Sequence, residues 1–153
     1  MNYWLMESEE EEYSIDDLQR DKQAPWFGVR NYQARNFMKN EMKIGDLVFF
    51  YHSNGKPSAI VGVAKIISLP YPDETQFDRK SPYYFAKATR GNPSWVSVDV
   101  AFVKKYSESL SINDMRLHTE LSAMKLLQKG SRLSITPVRE KEFKYIDSLL
   151  SYL

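Results

Sequence analysis

Short apolar runs along the chain predict the strands of a β-sheet. Tyr3–Met6 is apolar and lies almost at the start, and Leu47–Tyr51 is a longer run rich in β-forming residues. Asn54-Gly55 is a strong hairpin-turn signal, so Ala59–Ile67 is the predicted return strand. Gly62 in the middle of that strand indicates a bulge or the close approach of another group.

Two further segments alternate between apolar and polar positions, as half-buried strands do. In Trp95–Val103, one face carries Val96, Val98, Val100 and Phe102, and the other carries Trp95, Ser97, Asp99 and Ala101. Arg132–Val138 alternates in the same way, and its proline places it near an edge or an end of the sheet.

Helical spacing marks two segments in the first part of the chain. Ser14–Asp21 is a predicted short helix, since Ser14 and Asp17 resemble a capping box. Asn31 is a plausible N-cap for a second helix that ends near Asn40, with a buried face formed by Ala34, Phe37 and Met38.

The second half of the chain holds the other predicted helices. Ser111–Leu127 contains one or two short ones, and the last spans about Glu140–Tyr152, with a buried stripe of Phe143, Ile146, Leu150 and Leu153. Roughly five strands accompany these helices without βαβ alternation. The pattern therefore predicts an α+β domain over residues 1–153, with a mostly antiparallel sheet curled into a small barrel.

Composition narrows the possible chemistry. The 153 residues include no cysteine and only His52 and His118, without metal-ligand spacing, so we expect neither a metal site nor a Cys nucleophile. Neither a phosphate-binding loop nor a dinucleotide fingerprint is present, so we expect no cofactor. The chain lacks a run of about 20 apolar residues and a recognisable signal peptide, so we expect no association with membranes. We expect the protein to be cytoplasmic, or nuclear if it is eukaryotic.

The net charge of +1 is unevenly distributed. Residues 1–24 hold eight acids against two bases, whereas the remaining 129 residues hold 19 bases against 12 acids. Such asymmetry can accompany nucleic-acid binding, although lysines scattered over a solvated surface explain it equally well. The acidic block Glu7–Glu12 is predicted to be an exposed loop, because like charges repel and stay solvated.

Pro25–Asn36 is the stretch with the composition of a recognition surface. It combines three aromatic residues with arginine, asparagine and glutamine, which carry directed donors and acceptors for planar heterocycles. An ordinary surface helix preceded by a polar loop is the competing interpretation. The turn-rich segment 68–94 is also aromatic, and is either functional or packed down as an Ω-type loop.

Three polar positions on strands could carry chemistry. His52 and Ser53 are adjacent, so their side chains point to opposite faces of a strand, which disfavours a Ser–His pair. Asp99 shares a face with Trp95, and is either exposed to solvent or held as an acceptor in a pocket.

Several segments together resemble the EVE domain family, and the match runs nearly from end to end. The resemblance is carried by Tyr3–Met6, Tyr13–Leu18, Trp26–Asn36, Gly45–Ser53, Ile60–Ala64, Asp78–Tyr84 and Arg132–Val138. It implies a PUA-like fold, a small curled β-barrel of about five to six strands with flanking helices, related to YTH and ASCH domains. The acidic block departs from the family pattern, and we expect it to leave the pocket unaffected.

The resemblance also implies a function. Members look like readers of modified nucleobases in DNA or RNA, and Trp26 corresponds to one position of the YTH aromatic cage. Carried over to this chain, the pocket motif comprises Trp26, Arg30, Asn31, Tyr32, Arg35, Tyr51, His52 and Ser53. The strand pattern adds Trp95 and Asp99 as candidate ligand-binding residues.

We therefore expect a monomeric, non-enzymatic module that binds nucleic acid carrying a modified base. Trp26 would stack, Asn31 and Ser53 would bond the base edge, and Arg30 and Arg35 would meet phosphate or base. One alternative is an enzyme acting on nucleosides or nucleotides, with Asp99 or His52 as general base. A third is a protein-interaction module that docks a partner through the segment 68–94.

Overall fold

The computed structural model describes residues 1–130 and 133–151. Seven strands lie in these ranges: β1 Tyr3–Glu9, β2 Gln23–Trp26, β3 Leu47–Ser53, β4 Ala59–Ile66, β5 Tyr71–Pro72, β6 Val96–Ser111 and β7 Ile135–Val138. The α-helices are α1 Ile15–Asp21, α2 Tyr32–Asn36, α3 Ile112–Met115 and α4 Glu140–Ser151. A π-helical turn, Phe37–Glu41, continues α2, and 3-10 turns lie at Glu74–Phe77, Thr119–Leu121 and Lys125–Leu127.

The sheet confirms the predicted α+β class. Its strand order is β2-β6-β4-β3-β1-β7, with β5 paired to β6. Among the described strands only β1 and β3 run parallel, so the sheet is mostly antiparallel. It has seven strands, more than the five or six expected, and the described strands do not close into the expected barrel, since β2 and β7 stand at opposite ends of the order.

Pairing between strands moves several predicted boundaries. β1 continues beyond Met6 to Glu9, because parallel pairing with β3 places Glu9 beside Ser53. The prediction of a loop from Glu7 onward was therefore wrong for the first part of the acidic block. β2 was not predicted. In this strand Trp26 pairs with Val98, and Pro25 is tolerated because β2 lies at the edge of the sheet. β6 likewise runs on to Ser111.

Helix caps follow the sequence signals. Ser14 and Asp17 form the predicted capping box at the start of α1. The Asn31 side chain accepts a hydrogen bond from the Ala34 amide and caps α2. The predicted stripe of α4 is buried at Phe143, Ile146 and Leu150. Arg132, Tyr152 and Leu153, which also belonged to predicted elements, lie outside the described residues.

Gly62 shows both features that its position indicated. The β3–β4 pairing shifts register opposite it, between Phe50 and Tyr51. A Cβ atom at Gly62 would lie 2.5 Å from the Lys104 carbonyl oxygen and 2.8 Å from Ile15 Cδ1. The glycine therefore lets α1 pack directly against the sheet backbone.

Alternation along the central strands divides the core between the two faces of the sheet. Met6 and Phe50 face a cluster that includes Ile15 of α1 and Ala34 of α2. Leu5 and Phe49 face a second cluster that includes α4. Within the described ranges, no helix combines the length and the apolar composition needed to cross a bilayer.

Candidate functional site

A cavity of about 560 Å³ opens beside α1, between the end of β1 and the turn that follows β2. Of the candidate residues, Trp26 and Ser53 line it. Three more aromatic residues complete its apolar walls: Tyr13, Phe27 and Tyr83. The volume falls within the range of small-molecule sites, so the cavity is large enough for one planar heterocycle.

Trp26 is held in the cavity wall by the core. It is the last residue of β2, and its ring meets Phe50 edge-on, with ring centroids 5.5 Å apart and an interplanar angle of 77°. Phe50 is itself fully buried. The indole is therefore fixed on a rigid strand end while part of its surface faces the cavity, which is the arrangement that stacking requires.

Gly28 allows the opposite wall to approach. Its φ of +84° is accessible at little cost only to glycine, and a Cβ there would lie 3.0 Å from the ring of Tyr83. Tyr83 also meets Phe27 edge-on, with centroids 5.9 Å apart. The turn after β2 thus brings Tyr83, which is distant in sequence, into the wall of the cavity.

Asp73 fixes that turn from behind. Its carboxylate is fully buried and accepts hydrogen bonds from the Gly28 amide at 2.8 Å and from Arg30 Nη1 at 3.0 Å. Burial alone would raise the pKa of Asp73, but bonds from Thr75, Gly28 and Arg30 outweigh it and lower the pKa below its ordinary value. Asp73 is therefore an ionised anchor for the cavity wall.

Arg30 completes this anchor, and every N–H group of its guanidinium is hydrogen-bonded within the protein. Its guanidinium makes five hydrogen bonds: two to the Tyr83 carbonyl, and one each to the Val29 carbonyl, Asp73 and Thr75. A guanidinium has five N–H groups, so all of them are used. The structure thus places Arg30 behind the wall formed by Val29 and Tyr83, and not inside the cavity.

The acidic block reaches the cavity, and the expectation that it leaves the pocket unaffected was wrong. Carboxylate residues Glu7, Glu9, Glu12 and Asp21 all line it, whereas no lysine or arginine of the described residues does. Burial raises the pKa of Glu7 to about 7. Sequence reasoning treated the block as solvated, but strand pairing draws Glu7 and Glu9 into the sheet, and the turn after β1 places Glu12 in the cavity lining.

Tyr32, Trp95 and Arg35 form a separate stack. Trp95 is buried and its ring lies 4.7 Å from that of Tyr32 at an angle of 25°, while Tyr32 itself is 54% exposed. The Arg35 guanidinium lies 4.8 Å from the centre of the Tyr32 ring and donates to the Ser94 carbonyl. Arg30 lies 5.4 Å from the Trp95 ring and links this stack to the cavity wall.

Tyr51, His52 and Asp99 do not line the cavity. Tyr51 belongs to the core cluster on the α4 side of the sheet. His52 Nε2 accepts a hydrogen bond from the Ile15 amide, and burial lowers the pKa of this histidine, so the ring is neutral near pH 7. Asp99 accepts a hydrogen bond from the Tyr71 hydroxyl. The two residues considered as general bases are thus engaged with other parts of the fold.

Comparison with known proteins identifies the family. The model of the EVE domain matches residues 2–149. The chain belongs to the EVE domain family. Thymocyte nuclear protein 1 of Rattus norvegicus is 41% identical, over 97% of this chain and 73% of the rat protein.

Solved structures of related proteins share the whole fold, which confirms the PUA-like expectation. A protein from Pseudomonas syringae is 45% identical and covers 96% of this chain and 98% of its own, with a TM-score of 0.93. Human THYN1, crystallised in complex with DNA containing 5-methylcytosine, is 38% identical over 97% of each chain, with a TM-score of 0.91.

Sequence reasoning missed Tyr13, Tyr83, Gly28 and Asp73 as determinants of the cavity. Gly28 stood within the recognition stretch, and Tyr83 within the long aromatic segment. Neither pattern indicates which distant residue a turn will meet, because that contact depends on tertiary pairing. Within the described residues, no three potential ligands of the histidine or carboxylate type lie close enough together to hold a metal ion.

Proposed function

We propose that this protein binds nucleic acid and holds one modified base in the cavity beside Trp26. The observation that carries the proposal is the position of Trp26, an aromatic wall fixed at the end of β2 in a cavity that can admit one base. The complex of human THYN1 with DNA containing 5-methylcytosine supports it, since that protein shares the fold across nearly the whole chain.

The cavity supplies the two interactions that base reading needs. Stacking a base on an aromatic side chain contributes about 1–3 kcal/mol and tolerates any base. Discrimination then comes from hydrogen bonds, and Ser53, which lines the cavity, carries a hydroxyl that can form one. In this proposal Asn31 acts indirectly, because its side chain caps α2.

The exposed stack extends the proposed interface beyond the cavity. Tyr32 presents an exposed ring with Arg35 above it, and this pair suits a flanking base or a phosphate. Arg30 lies against the Trp95 ring and so connects the stack with the cavity wall. In the proposal, Tyr51, His52 and Asp99 do not contact the ligand. They stabilise β3 and β6, the strands on which they lie.

Titration of paired oligonucleotides tests this function. DNA and RNA strands that differ only in one modified base would be titrated at several salt concentrations. We expect the modified strand to bind more tightly at every salt concentration, since contacts with phosphate carry no information on the base. Equal affinities that depend only on salt would contradict base reading.

A further inference from the structure

The cavity combines aromatic walls with an acidic rim, and this combination carries information about its ligand. Tyr13, Trp26, Phe27 and Tyr83 provide the walls, and Glu9, Glu12 and Asp21 add carboxylates. No lysine or arginine of the described residues lines it. Faces of aromatic rings attract cations, and carboxylates do the same over a longer range.

Two of these carboxylates remain without a positive partner among the described residues. Asp21 is neutralised, because Arg20 forms an ion pair with it. Glu9, by contrast, accepts a hydrogen bond from the side-chain amide of Asn54. The Glu12 carboxylate lies 3.5 Å from the Tyr83 hydroxyl. Both partners are neutral, so the negative potential of the rim persists.

This potential opposes the phosphates of a nucleic acid at the cavity mouth. A neutral base would gain stacking there and would still bring its own phosphates toward Glu9 and Glu12. A base with a positive charge reverses the balance, because its ring interacts favourably with the aromatic faces and with the carboxylates. The chemistry of the cavity thus distinguishes bases by charge as well as by shape.

We propose that the modified base preferred by this cavity is one methylated on a ring nitrogen so that it carries a delocalised positive charge. Bases of this class include 3-methylcytosine, 1-methyladenine and 7-methylguanine. The inference rests on the proposed function, which it deepens by naming the class of modification. Trp26 stacks against the cationic ring, and Glu9 and Glu12 provide the charge that selects it.

Two bases with the same heavy atoms and different charges test this selection. The full chain would be titrated with single-stranded oligonucleotides that carry one 3-methylcytosine, one 5-methylcytosine or unmodified cytosine at the same position. The first two bases have the same heavy atoms and differ in the site of methylation and in the extra proton that gives 3-methylcytosine its positive charge. We expect the 3-methylcytosine strand to bind at least about tenfold more tightly than the 5-methylcytosine strand.

Neutral variants of the rim then identify the source of the preference. Combining Glu9→Gln with Glu12→Gln keeps the shape of the side chains, and we expect it to reduce the preference to less than about threefold. Glu108→Gln is the matched control, since Glu108 is exposed on β6 and does not line the cavity. A preference that survives in the double variant would overturn the assigned role of the rim.

The possible outcomes distinguish failure of this inference from failure of the proposed function. Tighter binding of 5-methylcytosine than of both other strands would overturn the charge selection and keep base reading. Equal binding of all three strands would overturn both. A trimethyllysine peptide serves as a second probe, because an aromatic and acidic cavity also suits that cation. Binding of the peptide without preference for the cationic base would overturn the inference.

Discussion

The guanidinium of Arg30 and the carboxylate of Asp73 meet at 3.0 Å directly behind the wall of the cavity. Asp73 is fully buried and also holds the Gly28 amide, while Arg30 holds the Tyr83 carbonyl. The pair thus joins two segments far apart in sequence. This arrangement makes Arg30 a positioning residue for the cavity.

Replacing Arg30 tests that role. Lysine keeps the charge but cannot reproduce five planar donors, so we expect Arg30→Lys to lower the free energy of unfolding by about 1–3 kcal/mol. Arg90→Lys is the control, because Arg90 forms an exposed pair with Glu74 and should change stability by less than about 0.5 kcal/mol. Denaturant unfolding measures both. An Arg30→Lys variant that unfolds like the wild type but binds weakly would show that Arg30 contacts the ligand.

Gly62 offers a second test of packing. A methyl group there would meet backbone at 2.5 Å as well as Ile15, so we expect Gly62→Ala to cost about 1–3 kcal/mol. Gly91 has open space around its Cα, and Gly91→Ala should leave stability within about 0.5 kcal/mol of the wild type. Thermal unfolding of the two variants side by side checks this. Equal midpoints would contradict the close approach of α1 to β4.

Glu7 should make stability depend on pH. Burial raises its pKa from 4.5 to about 7, so between these values the folded state binds more protons than the unfolded state. Stability therefore decreases as pH rises through this window, and the full cost is present above pH 7. Glu7→Gln removes the titration. We expect the wild type to lose about 1–3 kcal/mol more than this variant between pH 5 and pH 8.

Unfolding curves of both proteins at the two pH values provide the measurement. The comparison cancels the contribution of other titrating groups, including His52, because both proteins contain them. Parallel losses of stability in the wild type and in Glu7→Gln would show that the Glu7 carboxyl has an ordinary pKa.

Local signals in the sequence predicted the parts of the fold that depend on local chemistry. The capping box at Ser14 and the cap at Asn31 form as their residues indicate, and β3 and β4 form the hairpin that Asn54-Gly55 signalled, although the connection spans residues 54–58. β2 escaped prediction, because Gln23–Trp26 has no apolar alternation and becomes a strand only by pairing with β6. The same limit applies to the end of β1, which β3 extends to Glu9.

The candidate site was predictable only in part for a related reason. Trp26 was recognisable from its polar and aromatic neighbours and from the family motif, and it does line a cavity. Composition could not separate Arg30 behind the wall from a residue inside it, since that depends on bonds to Asp73 and Tyr83. It also could not show that Glu9 and Glu12 turn toward the opening.

The most direct test of the central claim is the effect of Trp26 on the affinity for the modified strand. This affinity would be measured for the wild type, Trp26→Phe and Trp26→Ala. Loss of stacking worth about 1–3 kcal/mol predicts that Trp26→Ala weakens binding by about fivefold or more, while Trp26→Phe retains part of the affinity. A folded Trp26→Ala protein with the wild-type affinity would contradict the account.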